Sequence, residues 1–153
     1  MKLQRNLGSF RDPSGQIYEF NKRIIRIIKK SGVKRYDHLK SIKIIEESID
    51  NGFLIQTKDV TDEFQKTNVD QNNFYYLEHK RLDYISYPYE WSFYQLKDAA
   101  LHHLNFQLFL LDRDCVLIDS SAFNIQFNNN KPIFIDLLSL DKYESGDYWN
   151  GHS

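Results

Sequence analysis

The chain has 153 residues, which is enough for one domain or two small lobes with a hydrophobic core. Its 20 basic and 21 acidic residues give a formal net charge of -1, so no overall field directs it to nucleic acid or to an acidic membrane surface. One cysteine excludes an intramolecular disulfide. Apolar runs long enough for a membrane span or a signal peptide are absent from the sequence, so we expect a cytoplasmic protein.

The first half of the sequence predicts a small antiparallel sheet with one helix. Two runs rich in β-branched and aromatic residues, 16–20 and 23–28, flank Asn21-Lys22, which suits a hairpin turn. Apolar residues then recur every three or four positions over 34–51, which predicts an amphipathic helix. Gly52 is typical of the residue that follows a helix, because glycine readily adopts a left-handed conformation.

The middle of the chain predicts a connection and then a hinge. The polar segment 58–73 has little periodicity and predicts a loop with short extended pieces. Residues 74–89 predict two strands that end at Pro88, since proline cannot donate to a sheet ladder. We therefore divide the chain into an N-lobe-like sheet and helix, residues 1–88, and a partial second lobe, residues 89–153.

The strongest helix prediction covers residues 93–112. Ser92 and Gln95 form a capping-box pattern at its start. Its apolar residues cover most of the helix circumference, which predicts a buried helix. They are Phe93, Leu96, Ala100, Leu104, Leu108 and Leu111 on one face, widened by Phe106, Phe109 and Leu110.

A loop and a second hairpin follow this helix. Strands are predicted at 125–127 and 132–135, on either side of an asparagine-rich turn, because asparagine tolerates positive backbone angles. The loop before the hairpin holds Asp119 and Asn124, and Asp136 directly follows the second strand.

These three side chains are the residue types that kinase-like phosphoryl transfer requires. A carboxylate orients the attacking hydroxyl, and an amide oxygen and a second carboxylate hold Mg²⁺ against the phosphates. A structural interpretation is equally open: Asp119 would cap a loop, Asn124 would start a turn and Asp136 would end a strand.

The order helix, Asp-x-x-x-x-Asn, hairpin, apolar-Asp resembles the catalytic and metal-binding loops of aminoglycoside phosphotransferases and related small-molecule kinases. The segments 85–93, 95–100 and 119–140, with the opening 8–15, more closely resemble the N-terminal region of bacterial S-adenosylmethionine-dependent methyltransferases, some of them nodulation-related. The resemblance implies a kinase-like part that precedes a separate methyltransferase domain. The chain itself carries no glycine-rich methyltransferase fingerprint.

The resemblance implies that Asp119 is the catalytic aspartate and that Asn124 and Asp136 are metal ligands, with ATP and Mg²⁺ as cofactors. Two departures from active kinases bear on activity. Leu117-Ile118 replaces the usual His-Gly or His-Arg, and Leu137 replaces the Phe-Gly or Trp that follows the second aspartate.

Nucleotide-binding residues are less well marked. Arg23 and Arg26 lie at the place expected for a phosphate-binding lysine, and Arg26 is the residue we assign to nucleotide binding, with Lys22 or Lys29 as alternatives. A solvated strand face is an equally open interpretation of the two arginines. Tyr87 and Tyr89 line either a hinge at an adenine pocket or an aromatic corner that seals the core. The turn-rich segment 8–15 covers phosphates or is an ordinary turn.

Two further predictions concern side chains outside this set. His102 and His103 lack an acidic or cysteine partner at ligand spacing, which argues against a metal site there. Cys115 stands beside apolar residues and is predicted to be an inert buried thiol.

The sequence thus predicts an α+β, protein-kinase-like fold with a small N-terminal antiparallel sheet plus helix, then a buried helix and a catalytic-loop hairpin. The second lobe is expected to be truncated, because no helices follow Asp136. The predicted function is a nucleotide-binding or vestigial ATP-dependent phosphotransferase domain of a larger bacterial protein. The alternative is an inactive scaffold that binds a partner or a glycan through the same fold. A nucleic-acid module would need a basic aromatic face that the sequence does not show.

Overall fold

A computed structural model describes residues 4–5, 15–66 and 70–149 of the chain. These residues fall into two compact units. The first contains the chain up to His38 together with Gln56–Arg81, and the second contains Leu39–Ile55 and the residues from Leu82 onward. The division at residue 88 that the sequence predicts stays a prediction about domain organisation.

The first unit is built on a five-stranded antiparallel sheet in the order β1-β2-β3-β5-β4. Its central hairpin confirms the sequence prediction. Asn21 and Lys22 form the turn with positive φ angles of 47° and 64°, the conformation of a tight hairpin. The strands are β1 (Gln4–Arg5), β2 (Gly15–Phe20), β3 (Arg23–Lys29), β4 (Thr57–Asp59) and β5 (Asn73–His79).

A hydrophobic cluster of this unit lies on one face of the sheet. Ile25 and Ile27 alternate along β3 and pack with Phe64 and Tyr76, whose rings stack at 5.6 Å. Phe64 belongs to a short helix, α3 (Thr61–Gln65), inside the segment predicted to be a loop. The loop prediction was wrong here, because one buried aromatic in a single helical turn gives no detectable periodicity.

The helix predicted over 34–51 is two helices, α1 (Lys30–Ser41) and α2 (Ile44–Asp50). The break is at Lys43, whose φ of 57° no continuous α-helix contains. The apolar residues keep a helical spacing on both sides of Lys43, so periodicity alone did not reveal the break in the helix. Gly52 has a φ of 76°, as its position predicts.

The two strands predicted over 74–89 are one strand, β5, followed by irregular chain and a 3-10 turn at Pro88–Glu90. The irregular chain is fixed in the second unit by side chains. Ser86 donates its backbone N–H to Gln126 Oε1 at 3.0 Å and accepts from Gln126 Nε2 at 2.9 Å. Trp91 donates its indole N–H to the Ser86 hydroxyl at 2.8 Å. A side chain thus satisfies the backbone groups that a second strand would have paired.

The long helix α4 (Phe93–Leu111) begins where the sequence predicts. Ser92 Oγ accepts from the Gln95 backbone N–H, and Gln95 Oε1 accepts from the Ser92 backbone N–H. The prediction that this helix is buried was wrong for the face first identified. Its buried residues are Ala99, Phe106, Gln107 and Leu110, whereas Phe93, Leu104 and Leu108 are 75%, 56% and 62% exposed.

Two short antiparallel pairs follow α4 and carry the candidate site. β6 (Cys115–Leu117) pairs with β9 (Leu140–Lys142), and β7 (Ile125–Asn128) pairs with β8 (Lys131–Phe134). The turn of the second pair has positive φ angles at Asn129 and Asn130, which confirms the predicted hairpin. Among the helices in the described parts of the chain, none is long and apolar enough to span a membrane.

Candidate functional site

The loop that contains Asp119 is held between β6 and β7. Asp119 Oδ1 accepts from the Ser121 backbone N–H at 2.9 Å, an Asx turn that folds the aspartate back on its own loop. A 3-10 turn at Ala122–Asn124 then leads into β7. Asp119 Oδ2 accepts no hydrogen bond from the described residues, so this half-buried oxygen can accept one from a ligand hydroxyl.

Asn124 closes the same loop with its side-chain amide. Its Nδ2 donates to the Asp119 carbonyl and to Ser139 Oγ, both at 3.4 Å. Both hydrogens of the amide nitrogen therefore point to protein acceptors. The Oδ1 atom makes no hydrogen bond within the described part of the chain, which leaves an oxygen of the kind that Mg²⁺ prefers.

Asp136 lies directly beyond β8, at the start of a 3-10 turn over Leu137–Ser139. Its Oδ1 accepts from the Leu138 backbone N–H at 3.2 Å, and its Oδ2 accepts from the Ser139 hydroxyl at 2.7 Å. These bonds fix the orientation of the carboxylate, whose oxygens are of the kind that Mg²⁺ prefers.

Ser139 connects the three predicted site residues. Its hydroxyl donates to Asp136 and accepts from Asn124, whose amide also reaches the Asp119 carbonyl. Its own backbone carbonyl accepts from Ile118, the residue before Asp119, at 2.8 Å. The side chain is 3% exposed. The structure thus brings Asp119, Asn124 and Asp136 together in one hydrogen-bonded cluster.

Sequence reasoning missed Ser139. The signal was its position three residues after Asp136, where a serine hydroxyl reaches back to an aspartate across one turn. Serine is too common for that spacing to be noticed without the fold. The contact with Asn124 is separated by 15 residues and depends entirely on the hairpin.

The cluster offers carboxylate and amide oxygens to a cation. No group of three His, Cys, Asp or Glu side chains suited to a metal occurs within residues 4–5, 15–66 and 70–149. A divalent ion here would therefore depend on two carboxylates, the Asn124 amide, water and the oxygens of a ligand. That oxygen set fits Mg²⁺, which keeps several waters and takes few protein ligands when it accompanies phosphates.

Tyr87 and Tyr89 stack with ring centroids 5.4 Å apart and planes 4° from parallel. They are 45% and 77% exposed, so they do not seal the core. Trp91, which is 7% exposed, does so instead. The stacked pair presents aromatic surface to solvent, and its role toward an adenine ring stays a prediction.

Arg26 lies in the first unit and is 4% exposed. Its Nε donates to His79 Nε2 at 3.2 Å, and His79 Nδ1 is 2.8 Å from the Thr57 hydroxyl. His79 must be neutral to accept from a guanidinium, and burial together with the nearby Arg26 charge lowers its pKa to about 3. The role of Arg26 in nucleotide binding stays a prediction.

The other basic candidates have defined surroundings too. Arg23 forms ion pairs with Glu63 and Glu78, at 2.6 Å and 2.8 Å, and Lys22 occupies the left-handed turn before it. Lys29 ends β3 at an irregularity in the strand register. The predicted phosphate-covering segment 8–15 lies outside the described residues, except for Gly15 at the start of β2.

Two histidines on α4 lie in the second unit with the cluster. A ring nitrogen of His102 is 3.0 Å from the Phe53 carbonyl. The Nε2 atom of His103 is buried without a hydrogen-bond partner. Burial lowers the pKa of His103, as does His102, while the carboxylate of Asp119 opposes this shift. Cys115 is fully buried, and burial raises the pKa of its thiol to about 11, as expected of an inert cysteine.

The fold is that of the protein kinases. The chain superposes on a solved structure of vaccinia related kinase 3 with a TM-score of 0.57 and 15% sequence identity, over 99% of this chain and 51% of that one. At this identity the likeness establishes the fold alone. The predicted α+β, kinase-like architecture is confirmed, and the chain spans about half the length of that kinase structure.

The sequence is also similar to nodulation protein NoeA of Rhizobium meliloti (strain 1021). The two are 39% identical over 148 residues, which make up 97% of this chain and 30% of NoeA. The chain therefore spans under a third of the length of this relative. The predicted resemblance to nodulation-related proteins is confirmed to that extent. No protein-family model matches the sequence.

Proposed function

We propose that this chain is a kinase-like domain that binds a nucleoside triphosphate with Mg²⁺ at the cluster of Asp119, Asn124 and Asp136, and that its phosphotransferase activity is vestigial. The observation that supports this proposal is a network of hydrogen bonds that runs from Asp119 through Asn124 and Ser139 to Asp136. It orients the oxygens before any ligand arrives, so little ordering cost falls on binding.

Each residue has a distinct part in the proposal. Asn124 Oδ1 and the Asp136 carboxylate hold the cation, because hydrogen bonds within the cluster fix the orientation of both side chains. Asp119 Oδ2 accepts a hydrogen bond from an acceptor hydroxyl and orients it. Bound Mg²⁺ would supply charge neutralisation for the phosphates.

The apolar surroundings favour weak or absent phosphoryl transfer. Leu117 and Leu137, which replace polar or aromatic residues of active kinases, are both fully buried. Because they are buried, neither side chain is exposed to a substrate. The second candidate function, an inactive scaffold that positions a partner or a glycan, is favoured by the same two residues and by the exposed tyrosine pair.

Calorimetric titration with ATP, with and without Mg²⁺, tests the proposal. We expect Mg²⁺-dependent binding and a rise in melting temperature, since a ligand at about 100 times its Kd stabilises a protein by about 2.7 kcal/mol. Asp136→Asn keeps the shape of the side chain but removes its charge, and it should abolish binding. Asp112→Asn, at the exposed C-terminal end of α4, removes a carboxylate outside the cluster and should leave binding unchanged.

The alternatives separate clearly in this experiment. The absence of heat and of a thermal shift at millimolar Mg-ATP would remove the nucleotide proposal and leave the scaffold function. Binding that survives Asp136→Asn would place the nucleotide elsewhere. Release of ADP by the unmodified chain, lost in Asp119→Asn, would show that transfer activity persists.

We further propose that the domain works within, or together with, a longer bacterial protein in the cytoplasm. The length of NoeA beyond the matched 30% supports the first part of this proposal. A separate S-adenosylmethionine-dependent methyltransferase domain is the partner implied by the sequence resemblance. Co-purification of methyl transfer activity with the longer protein, but not with this chain, is the result expected.

A further inference from the structure

The second unit contains a buried polar atom that has no hydrogen-bond partner within the described part of the chain. It is Nε2 of His103, on the same side of α4 as the buried residues Ala99, Phe106 and Leu110. The His103 ring packs edge-on against Phe134, with ring centroids 5.7 Å apart. Folded proteins seldom leave a buried nitrogen unpaired, because the hydrogen bonds that it made to water are then not replaced. A partner for Nε2 should therefore lie close to it.

The path of the chain places His103 level with Asp119. Helix α4 packs against β6, and only residues 112–114 join the two, so β6 runs back along the helix. Gln107 Oε1 accepts from the Leu117 backbone N–H at 2.9 Å, which fixes the two elements against each other at that level. Four residues of helix back to His103 and two residues of extended chain on to Asp119 both cover about 6–7 Å. The two side chains therefore lie at the same end of this contact.

The charges and hydrogen bonds around His103 agree with this placement. Burial and the neighbouring His102 lower the pKa of His103, whereas the negative charge of Asp119 raises it. Asp119 Oδ1 accepts from the Ser121 backbone N–H, but Oδ2 accepts no hydrogen bond from the residues that the structure describes. A neutral imidazole that carries its proton on Nε2 is a donor that suits such an oxygen.

We propose that His103 donates a hydrogen bond from Nε2 to Oδ2 of Asp119 and so acts as a positioning residue for this carboxylate. The two atoms meet through a rotation of the side chains, while Oδ1 keeps its bond to Ser121. A carboxylate oxygen has two lone pairs, so Oδ2 can accept from His103 and from an acceptor hydroxyl together. The use of the pair to orient such a hydroxyl rests on the function proposed above, but the formation of the pair does not.

The histidine tautomers, measured by NMR on the 153-residue chain without nucleotide, test the pair. Long-range proton–nitrogen correlations show which ring nitrogen of a neutral imidazole carries the proton. In the unmodified chain we expect the His103 proton on Nε2, with an N–H resonance that is directly observed because a hydrogen-bonded proton exchanges slowly with water. His102, which contacts the Phe53 carbonyl at 3.0 Å, is the internal control.

Asp119→Asn gives the most diagnostic change. Asparagine keeps the shape of the side chain and an oxygen for the Ser121 N–H, but it places an amide donor where Oδ2 was. His103 Nε2 must then accept, so the proton should move to Nδ1 and the population of the Nε2 tautomer should fall by about tenfold or more. His102 should keep its tautomer. Asp112→Asn, an exposed carboxylate at the end of α4, is the matched control and should leave both histidines unchanged.

Melting temperatures provide the second measurement. His103→Gln retains a side-chain N–H, whereas His103→Leu has no donor for Asp119, so the leucine variant should melt at the lower temperature. A leucine variant that melts higher than both the glutamine variant and the unmodified chain would show that Nε2 is unpaired, and it would overturn the proposal.

Two NMR results would also overturn it. One is a His103 proton on Nδ1 in the unmodified chain, which decides the matter even if Asp119→Asn does not fold. The other is the same His103 tautomer in the unmodified chain and in Asp119→Asn. Since no nucleotide is present, a failure to bind Mg-ATP would remove the proposed function and leave these results for the pair intact.

Discussion

At the residue scale, the candidate site depends on a serine that none of the sequence motifs includes. Asp119, Asn124 and Asp136 could be selected from the sequence because kinase-like chemistry needs those residue types in that order. Their orientation could not, because it comes from hydrogen bonds across 15 residues of chain between Asn124 and Ser139. A motif thus specifies which atoms are needed, whereas the fold determines which neighbours hold them.

Ser139→Ala should weaken Mg-ATP binding by about tenfold, equivalent to about 1.4 kcal/mol, because Asp136 and Asn124 lose the hydroxyl that holds both. It should also lower the free energy of unfolding by about 1 kcal/mol. Calorimetry and urea denaturation measure the two effects separately.

Ser48→Ala is the control for this substitution. Ser48 is equally buried, and its hydroxyl donates to the Ile44 carbonyl at 2.6 Å in α2, away from the cluster. It should lose similar stability and keep its affinity for Mg-ATP. If Ser139→Ala retains full affinity while Asp136→Asn does not, Ser139 has a structural role only.

At the element scale, the sequence predicted the two hairpins and the start of α4 well, and it predicted helix interiors and burial less well. Turns such as Asn129-Asn130 and caps such as Ser92 depend on local backbone chemistry that a few residues determine. The break at Lys43 and the exposure of Leu104 depend on what packs against each helix. The face of α4 that contains Phe93, Leu104 and Leu108 was predicted to be buried because its apolar composition is that of a core face.

Substitutions at Ser92 test how much the local cap stabilises α4. Ser92→Ala should lower the free energy of unfolding by about 1 kcal/mol, because the Gln95 backbone N–H loses its acceptor. Ser92→Asp should retain the stability, since aspartate also caps a helix and interacts favourably with its dipole. Urea denaturation followed by far-UV circular dichroism measures both variants. Equal stabilities of all three proteins would mean that packing of Phe106 and Leu110 fixes α4 without its cap.

At the scale of the whole molecule, the fold class was predictable from the sequence. The order helix, Asp-x-x-x-x-Asn, hairpin, apolar-Asp resembles that of small-molecule kinases, and the comparison structure agrees with the kinase-like fold that this resemblance implies. The units combine distant segments, since Leu39–Ile55 belongs with the residues after Leu82. One link is Leu54, which bridges to Phe134 in a parallel contact. Such pairings between residues 80 apart leave no mark on local periodicity.

Global stability should fall as the pH is lowered from 7 to 5, because the pKa of His79 is lowered in the folded protein from 6.5 to about 3. Between those two values the unfolded chain binds a proton that the folded chain does not, so unfolding is favoured by acid. Full stability is present above pH 6.5 and decreases by at most about 1.4 kcal/mol for each pH unit below it. Burial also lowers the pKa of His102 and His103, which adds to the loss in the same direction.

Urea denaturation at pH 7 and pH 5 measures this loss, for which we expect about 2 kcal/mol from His79 alone. Glu63 and Glu78, whose pKa values are lowered by Arg23 in the folded protein, add little to this loss, because the unfolded chain has only begun to protonate them at pH 5. His79→Gln retains an acceptor for Arg26 but cannot be protonated, so its stability should depend less on pH. A variant with the same pH dependence as the unmodified chain would show that the acid sensitivity arises from groups other than His79.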